Sequence, residues 1–190
     1  MERRSSTQNQ VARYLEEFQT FHSAIGRRDP NWVGDIRRDA INAFNSLGFP
    51  TTRRGNEEWK YTDIRSLART KFVLSKSVQG QSSDIDLSGY LLGEPNWANL
   101  VFVDGVFSHD LSSRGFVGPG IYINNLAEAL IEKPELVRPY LARHIDYQAN
   151  AFAALNTSFM HDGAFINVSD NLSVEQPIHA LFLNTGLQPD

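Results

Sequence analysis

The spacing of apolar residues changes period along this chain, and that change constrains the fold more than any other feature. In VARYLEEFQTFHSAI, Val11, Leu15, Phe18, Phe21 and Ile25 recur at steps of four and three, which places them on one helical face. A second helix is punctuated at both ends. Asp29 is placed to cap it, Pro30 suits its first position, and Val33, Ile36, Ala40, Ile41, Phe44 and Leu47 form its stripe before Gly48 and Pro50 stop it. The two helices are expected to pack as a hairpin. Around Asp104-Gly105 the period becomes two: NLVFVDGVFSHDL alternates on both sides of a dipeptide that tolerates positive φ, which predicts a β-hairpin at 100–108.

Between these landmarks the signals are shorter. KFVL, starting at Lys71, begins a weaker strand-like region, and QGQSSD at 79–84 reads as a loop. GPGIYINNL predicts a short strand and an Asn cap; LAEALIE, PELVRPYLARHI and YQANAFAALNTSF then predict three helical pieces divided by Pro134 and the region of Asp146. From Asp162 onward, strand-like runs at 164–168, 172–174 and 178–184 alternate with polar turns of a few residues. Rungs this short suit a sheet built from repeated coils, although no strict sequence repeat accompanies them. No later strand follows IHALFLN to cover its edge, so the expectation is either a fragment of a longer protein or an edge closed by a second molecule, as in a homodimer.

The 190 residues are enough for one domain or two small ones, and the 41% hydrophobic and 21% charged content is that of a globular chain. The absence of cysteine excludes disulfides, thiolate metal sites and cysteine nucleophiles from these residues. No apolar run approaches the ~20 residues of a membrane span, and MERRSSTQNQ has no apolar core after its basic residues, so the default expectation is cytoplasmic. Charge is uneven: residues 1–75 hold 13 Lys and Arg against 9 Asp and Glu, whereas residues 76–190 hold 5 against 13. The basic half could draw an acidic partner or nucleic acid. Its arginines, however, come in pairs such as Arg37–Arg38 interrupted by acids, and a solvated helical surface is the better reading.

Motifs of chemistry are scarce. No G-x-G-x-x-G, G-x-x-x-x-G-K-[ST], H-E-x-x-H or G-x-S-x-G occurs, and Gly118-Pro119-Gly120 leads into a strand, so it reads as a turn and not an anion site. His144, Asp146, His161 and Asp162 together offer two imidazoles and two carboxylates, a set that a divalent metal could use. The plainer reading is that His144 closes a helix, Asp146 caps the next one and Asp162-Gly163 forms a turn. His179 alternates with Leu181 and Leu183 and is expected half-buried or at an interface; His22 and His109 have no clustered partners in the sequence. In GNEEWKYTDIRSL, Glu57 and Glu58 belong in a first helical turn, and Trp59 and Tyr61 serve either as anchors or as a partner surface. Their place after the capped helix and before the β-rich region favours an anchor with both aromatics as pins.

These residues, in order, carry a resemblance. A two-helix N-terminus, a GFP-x-x-R turn, EEWKYT at 57–62, VFVDG at 101–105, YINNLAEAL at 122–130, NAFAALNTSF followed by DGA at 150–164, and QPIH at 176–179 resemble the SufD subunit of Suf iron–sulfur cluster assembly, with SufB the near alternative. The likeness runs over about residues 40–190 and is specific through the ordered combination. It implies an α+β chain: a mainly helical N-terminal region (1–75), a mixed region with the small hairpin (76–161), and from 162 to 190 the first rungs of a right-handed parallel β-helix. It also implies a non-enzymatic scaffold working with SufB-like and SufC-like subunits, with no nucleic acid, membrane or cofactor in this portion. No catalytic, cofactor-binding or metal-binding residue carries over, because the family's motifs for these lie later than this chain reaches. The rivals are a small metal-dependent enzyme using His144, Asp146, His161 and Asp162, and a generic protein-interaction module.

Overall fold

The computed structural model describes residues 2–25, 28–52, 57–72, 85–92, 94, 96–115 and 118–186. The predicted loop at 79–84 and the last two residues of KFVL lie outside them. The fold is α+β, mainly helical at its N-terminal end, and packing divides the chain into two units: Met1–Leu74 with Arg138–Met160, and Ser75–Val137 with His161–Asp190.

The first unit is built on α1 (Glu2–Ile25) and α2 (Asn31–Leu47). Their facing stripes meet as expected: Val11, Tyr14, Phe18 and Phe21 bury against Ile41, Ala43, Phe44 and Phe49. A 3-10 turn (Glu57–Trp59), α3 (Arg65–Arg69) and α6 (Ala151–Ser158) complete the unit; Ala68 and Ala154 join the same core. Its aromatics are arranged edge to face, Tyr14 with Phe44 at 5.7 Å and Phe44 with Phe49 at 5.2 Å between centroids, the geometry that ring quadrupoles favour. Gly48 ends α2 at φ 63, where a side chain would be strained, and its N–H returns to the Phe44 carbonyl at 2.8 Å.

The start of α2 differs from expectation. Pro30, not Asp29, occupies the cap position and makes no side-chain cap bond. Asp29 instead accepts a 2.5 Å hydrogen bond from the guanidinium of Arg37, whose side chain is fully buried. The Arg37 Nε also donates to the Met160 carbonyl at 2.8 Å, and its guanidinium lies 5.7 Å from the Phe21 ring centre. The reading of Arg37–Arg38 as a solvated pair therefore fails for the first member.

The second unit holds β1 (Ala98–Val103), β2 (Val106–Phe107), β3 (Ile121–Asn125), α4 (Leu126–Glu132), α5 (Pro134–Val137), β4 (Ala164–Val168) and β5 (Ile178–Leu183). The predicted hairpin is β1–β2, turning through Asp104 at φ 49 and Gly105 at φ 83, the two positive values that a type I′ turn requires. One sheet has the order β2-β1-β5, with β5 parallel to β1 from Ala98–Ile178 to Val103–Leu183; the other pairs β3 antiparallel with β4. Among the described residues β5 has a strand neighbour on one side only. Ala98, Leu100 and Phe102 share a core with Ile123, and Phe182 stacks on Phe102 at 4.7 Å. Gly115 lies so close to β1 that a Cβ would sit 2.5 Å from the Ala98 nitrogen, so no larger residue fits there.

Two sequence expectations do not hold locally. PELVRPYLARHI is helical only to Val137, because Pro139 offers no N–H to continue the ladder and Ala142 turns at φ 57. The run at 172–174 is not a strand; Asn171 turns at φ 62, and Leu172 lies against Gly120.

Candidate functional site

The EEWKYT segment forms a 3-10 turn over Glu57–Trp59. Trp59 is half-buried and its ring lies 5.2 Å from that of Phe152 on α6, so it pins the turn to the helical core. Tyr61, by contrast, is 90% exposed and carries the Lys60 ammonium 5.3 Å from its ring centre. Only one of the two expected pins is an anchor. The next residues are held by Asp63, whose carboxylate accepts from the Arg65 backbone N–H at 3.0 Å and from its guanidinium at 2.6 Å. Those hydrogen bonds lower its pKa to about 2. Truncating Trp59 to Ala is expected to cost about 2 kcal/mol, near half the value of a fully buried tryptophan, while Tyr61→Ala changes stability by less than about 0.5 kcal/mol. Urea midpoints of the two variants check both values.

Of the four candidate metal ligands His161 is exposed, and the other three are placed as follows. His144 is exposed, lies outside any helix and stacks on Tyr140, with ring centres 6.3 Å apart. Asp146 accepts from the Gln148 N–H at 2.9 Å and does not cap α6; that position belongs to Asn150, whose side chain accepts from the N–H groups of Phe152 and Ala153, each at 3.0 Å. Asp162 has a role that sequence spacing did not expose. Its carboxylate accepts from the Ala127 N–H at 3.1 Å, from the Asn125 amide nitrogen through both oxygens at 3.1 and 3.0 Å, and from the Gly163 N–H at 2.8 Å. It thus caps α4 from 35 residues away, in place of the Asn125 side chain. Among the described residues no three His, Asp or Glu side chains gather as a metal site would require. Asp162→Ala is expected to lower stability by about 2 kcal/mol, since a cap and a charged acceptor are lost together, as thermal or urea unfolding would show.

Above α4 lies a polar network. Tyr122 Oη donates to Glu132 at 2.8 Å, and the buried Asn124 amide donates to Tyr122 at 3.2 Å and to Glu132 at 3.4 Å. Burial raises the Tyr122 pKa, so its hydroxyl stays a donor. Arg114 and His109 both reach Glu128 at 3.2 Å. His109 therefore has an acidic partner 19 residues distant, which its sequence neighbours gave no hint of. His179 is half-buried, as its alternation indicated, with Nδ1 3.1 Å from the Asn99 side-chain oxygen. These groups pair with one another and lock α4 to β3 and the 109–114 segment.

The chain is thus an α+β protein whose polar groups mostly brace its own elements. Its sequence says which one: the family described as the SufBD protein N-terminal region matches residues 8–180, and the chain belongs to that family. An iron-sulfur cluster assembly SufBD family protein of Synechocystis sp. is 28% identical over 177 residues, covering 93% of this chain and 38% of that protein. A protein of the same description from Staphylococcus epidermidis is 26% identical over 164 residues, and one from Staphylococcus haemolyticus is also 26% identical over 164; each alignment covers 82% of this chain and 35% of the relative. The chain spans little more than a third of the length of these curated relatives. Among the described residues no helix is long and apolar enough to cross a membrane.

Proposed function

We propose that this chain is the N-terminal part of a SufD-like scaffold in iron–sulfur cluster assembly, working in the cytoplasm with a SufB-like scaffold and a SufC-like ATPase. The observation that carries the reading is the family match across residues 8–180. Two features support its details. The parallel pairing of β5 with β1 is a ladder that a parallel β-helix would extend, whereas β4 pairs antiparallel with β3 and is not a rung of one. The chain contains no cysteine, so it offers no thiolate to a cluster; this accords with a subunit that positions others, SufD-like in use.

Its mechanism is positional: it holds the partner scaffold and the ATPase so that ATP-driven movement acts on the interface where the cluster forms. No residue here acts as catalyst, and the cluster is cargo. The purified chain should hydrolyse ATP no faster than buffer. Turnover by the chain alone contradicts the proposal, as does stoichiometric metal that disappears in His161→Ala, since either outcome describes an enzyme.

A further inference from the structure

His22 occupies an unusual place between α1 and α2. Its ring stacks on Phe18 with centres 5.3 Å apart, and it fills space left by Gly34, where an added Cβ would lie 3.3 Å from the imidazole Cε1. Nε2 is 3.0 Å from Nη1 of Arg38. A guanidinium can only donate, so Nε2 must accept and the single proton of the neutral ring must sit on Nδ1. Nδ1 is buried with no partner among the described residues. Protonating Nε2 would turn the acceptor into a second donor aimed at the first, and would place an imidazolium beside Arg38 and Arg37.

The surroundings offer this charge little compensation. On α2 the charged groups acting on the ring are Arg38 and Arg37, and the carboxylates of Asp35 and Asp29 already pair with these arginines. From α1 the ring faces Phe18. At the end of α6, Phe159 packs on Phe18 and Phe21, and the Met160 carbonyl accepts from Arg37; neither brings a charge.

We infer that His22 is an acid-sensitive latch between α1 and α2, released when its imidazole takes up a second proton. This goes beyond the scaffold reading and stands whether or not that reading holds. Burial, followed by Arg38 and Arg37, lowers the pKa of the packed ring from the ordinary 6.5. Below pH 6.5 the released ring binds a proton that the packed ring does not. Acid therefore favours release, and the effect vanishes above that pH.

Hydrogen exchange of the α1 amides at pH 7.5, 6.5 and 5.5, corrected for intrinsic rates, tests the inference. The α1 opening equilibrium should grow as pH falls from 6.5 to 5.5, by no more than about 5.5-fold, the ceiling for one proton taken up at the ordinary pKa, while α4 amides keep their protection. His22→Gln keeps an acceptor for Arg38 but cannot be protonated, so its α1 exchange should be flat with pH. Nitrogen chemical shifts of the native imidazole give a readout that needs no variant: the Nδ1–H tautomer is expected at pH 7.5. An Nε2–H tautomer overturns the latch, as does an α1 pH response that is absent in the natural chain or equal in His22→Gln.

Discussion

Replacing Arg37 with Met is expected to destabilise the helical unit by about 3–5 kcal/mol, because one half of a buried ion pair is removed and the other is left behind. Asp29 is only 11% exposed, and Arg37 is its guanidinium partner at 2.5 Å. The Met160 carbonyl loses its 2.8 Å donor at the same time. Methionine fills much of the volume, so the loss is electrostatic in origin rather than a cavity. The reciprocal change, Asp29→Leu, strands a fully buried guanidinium and should cost a similar amount. The double variant Arg37→Met/Asp29→Leu then separates the account from simple packing: it should be more stable than either single variant, since no buried charge remains unpaired. Urea midpoints of the three proteins decide the matter. Additive losses would mean that the two side chains act independently.

The second large effect is expected at Phe44. Its side chain is fully buried at the meeting of α1, α2 and the Phe49 turn, with edge-to-face contacts to Tyr14 at 5.7 Å and Phe49 at 5.2 Å. Phe44→Ala opens a cavity beside the rings of Tyr14 and Phe49, which also pack edge to face on each other, so collapse is limited and the cost is about 3–5 kcal/mol. Phe44→Leu retains more of the volume and should lose distinctly less. Because Trp32 and Trp59 lie in this unit and Trp97 in the other, tryptophan fluorescence during denaturation can report where the loss falls. A loss below about 1 kcal/mol in Phe44→Ala would show that the ring does not organise this core.

What the sequence made legible was the local part of the fold. The α1 and α2 stripes, the Gly48 stop, the Asp104-Gly105 hairpin and the strands at 164–168 and 178–183 each rest on a period or a turn residue within a few positions. What it hid depended on distance in the chain. Arg37 sits four residues after Val33 and four before Ile41, on the buried stripe, and that spacing was a signal in hand; a charged residue there reads as surface until Asp29 and the Met160 carbonyl are seen to meet it. Asp162 capping α4 could not be read locally, because its cap lies 35 residues away. The helix predicted over 134–145 failed because alanine and leucine propensity, a weak influence, met Pro139. For the candidate site, EEWKYT was rightly singled out as a connection to the core, yet which aromatic turned inward depended on Phe152 of α6.

The family membership makes an assembly role the centre of this account, and native co-purification tests it most directly. An antibody to this chain, used on the organism that makes it, should recover a SufB-like and a SufC-like subunit in fixed stoichiometry. Recovery of the protein without either subunit, while the two assemble with one another, would contradict it.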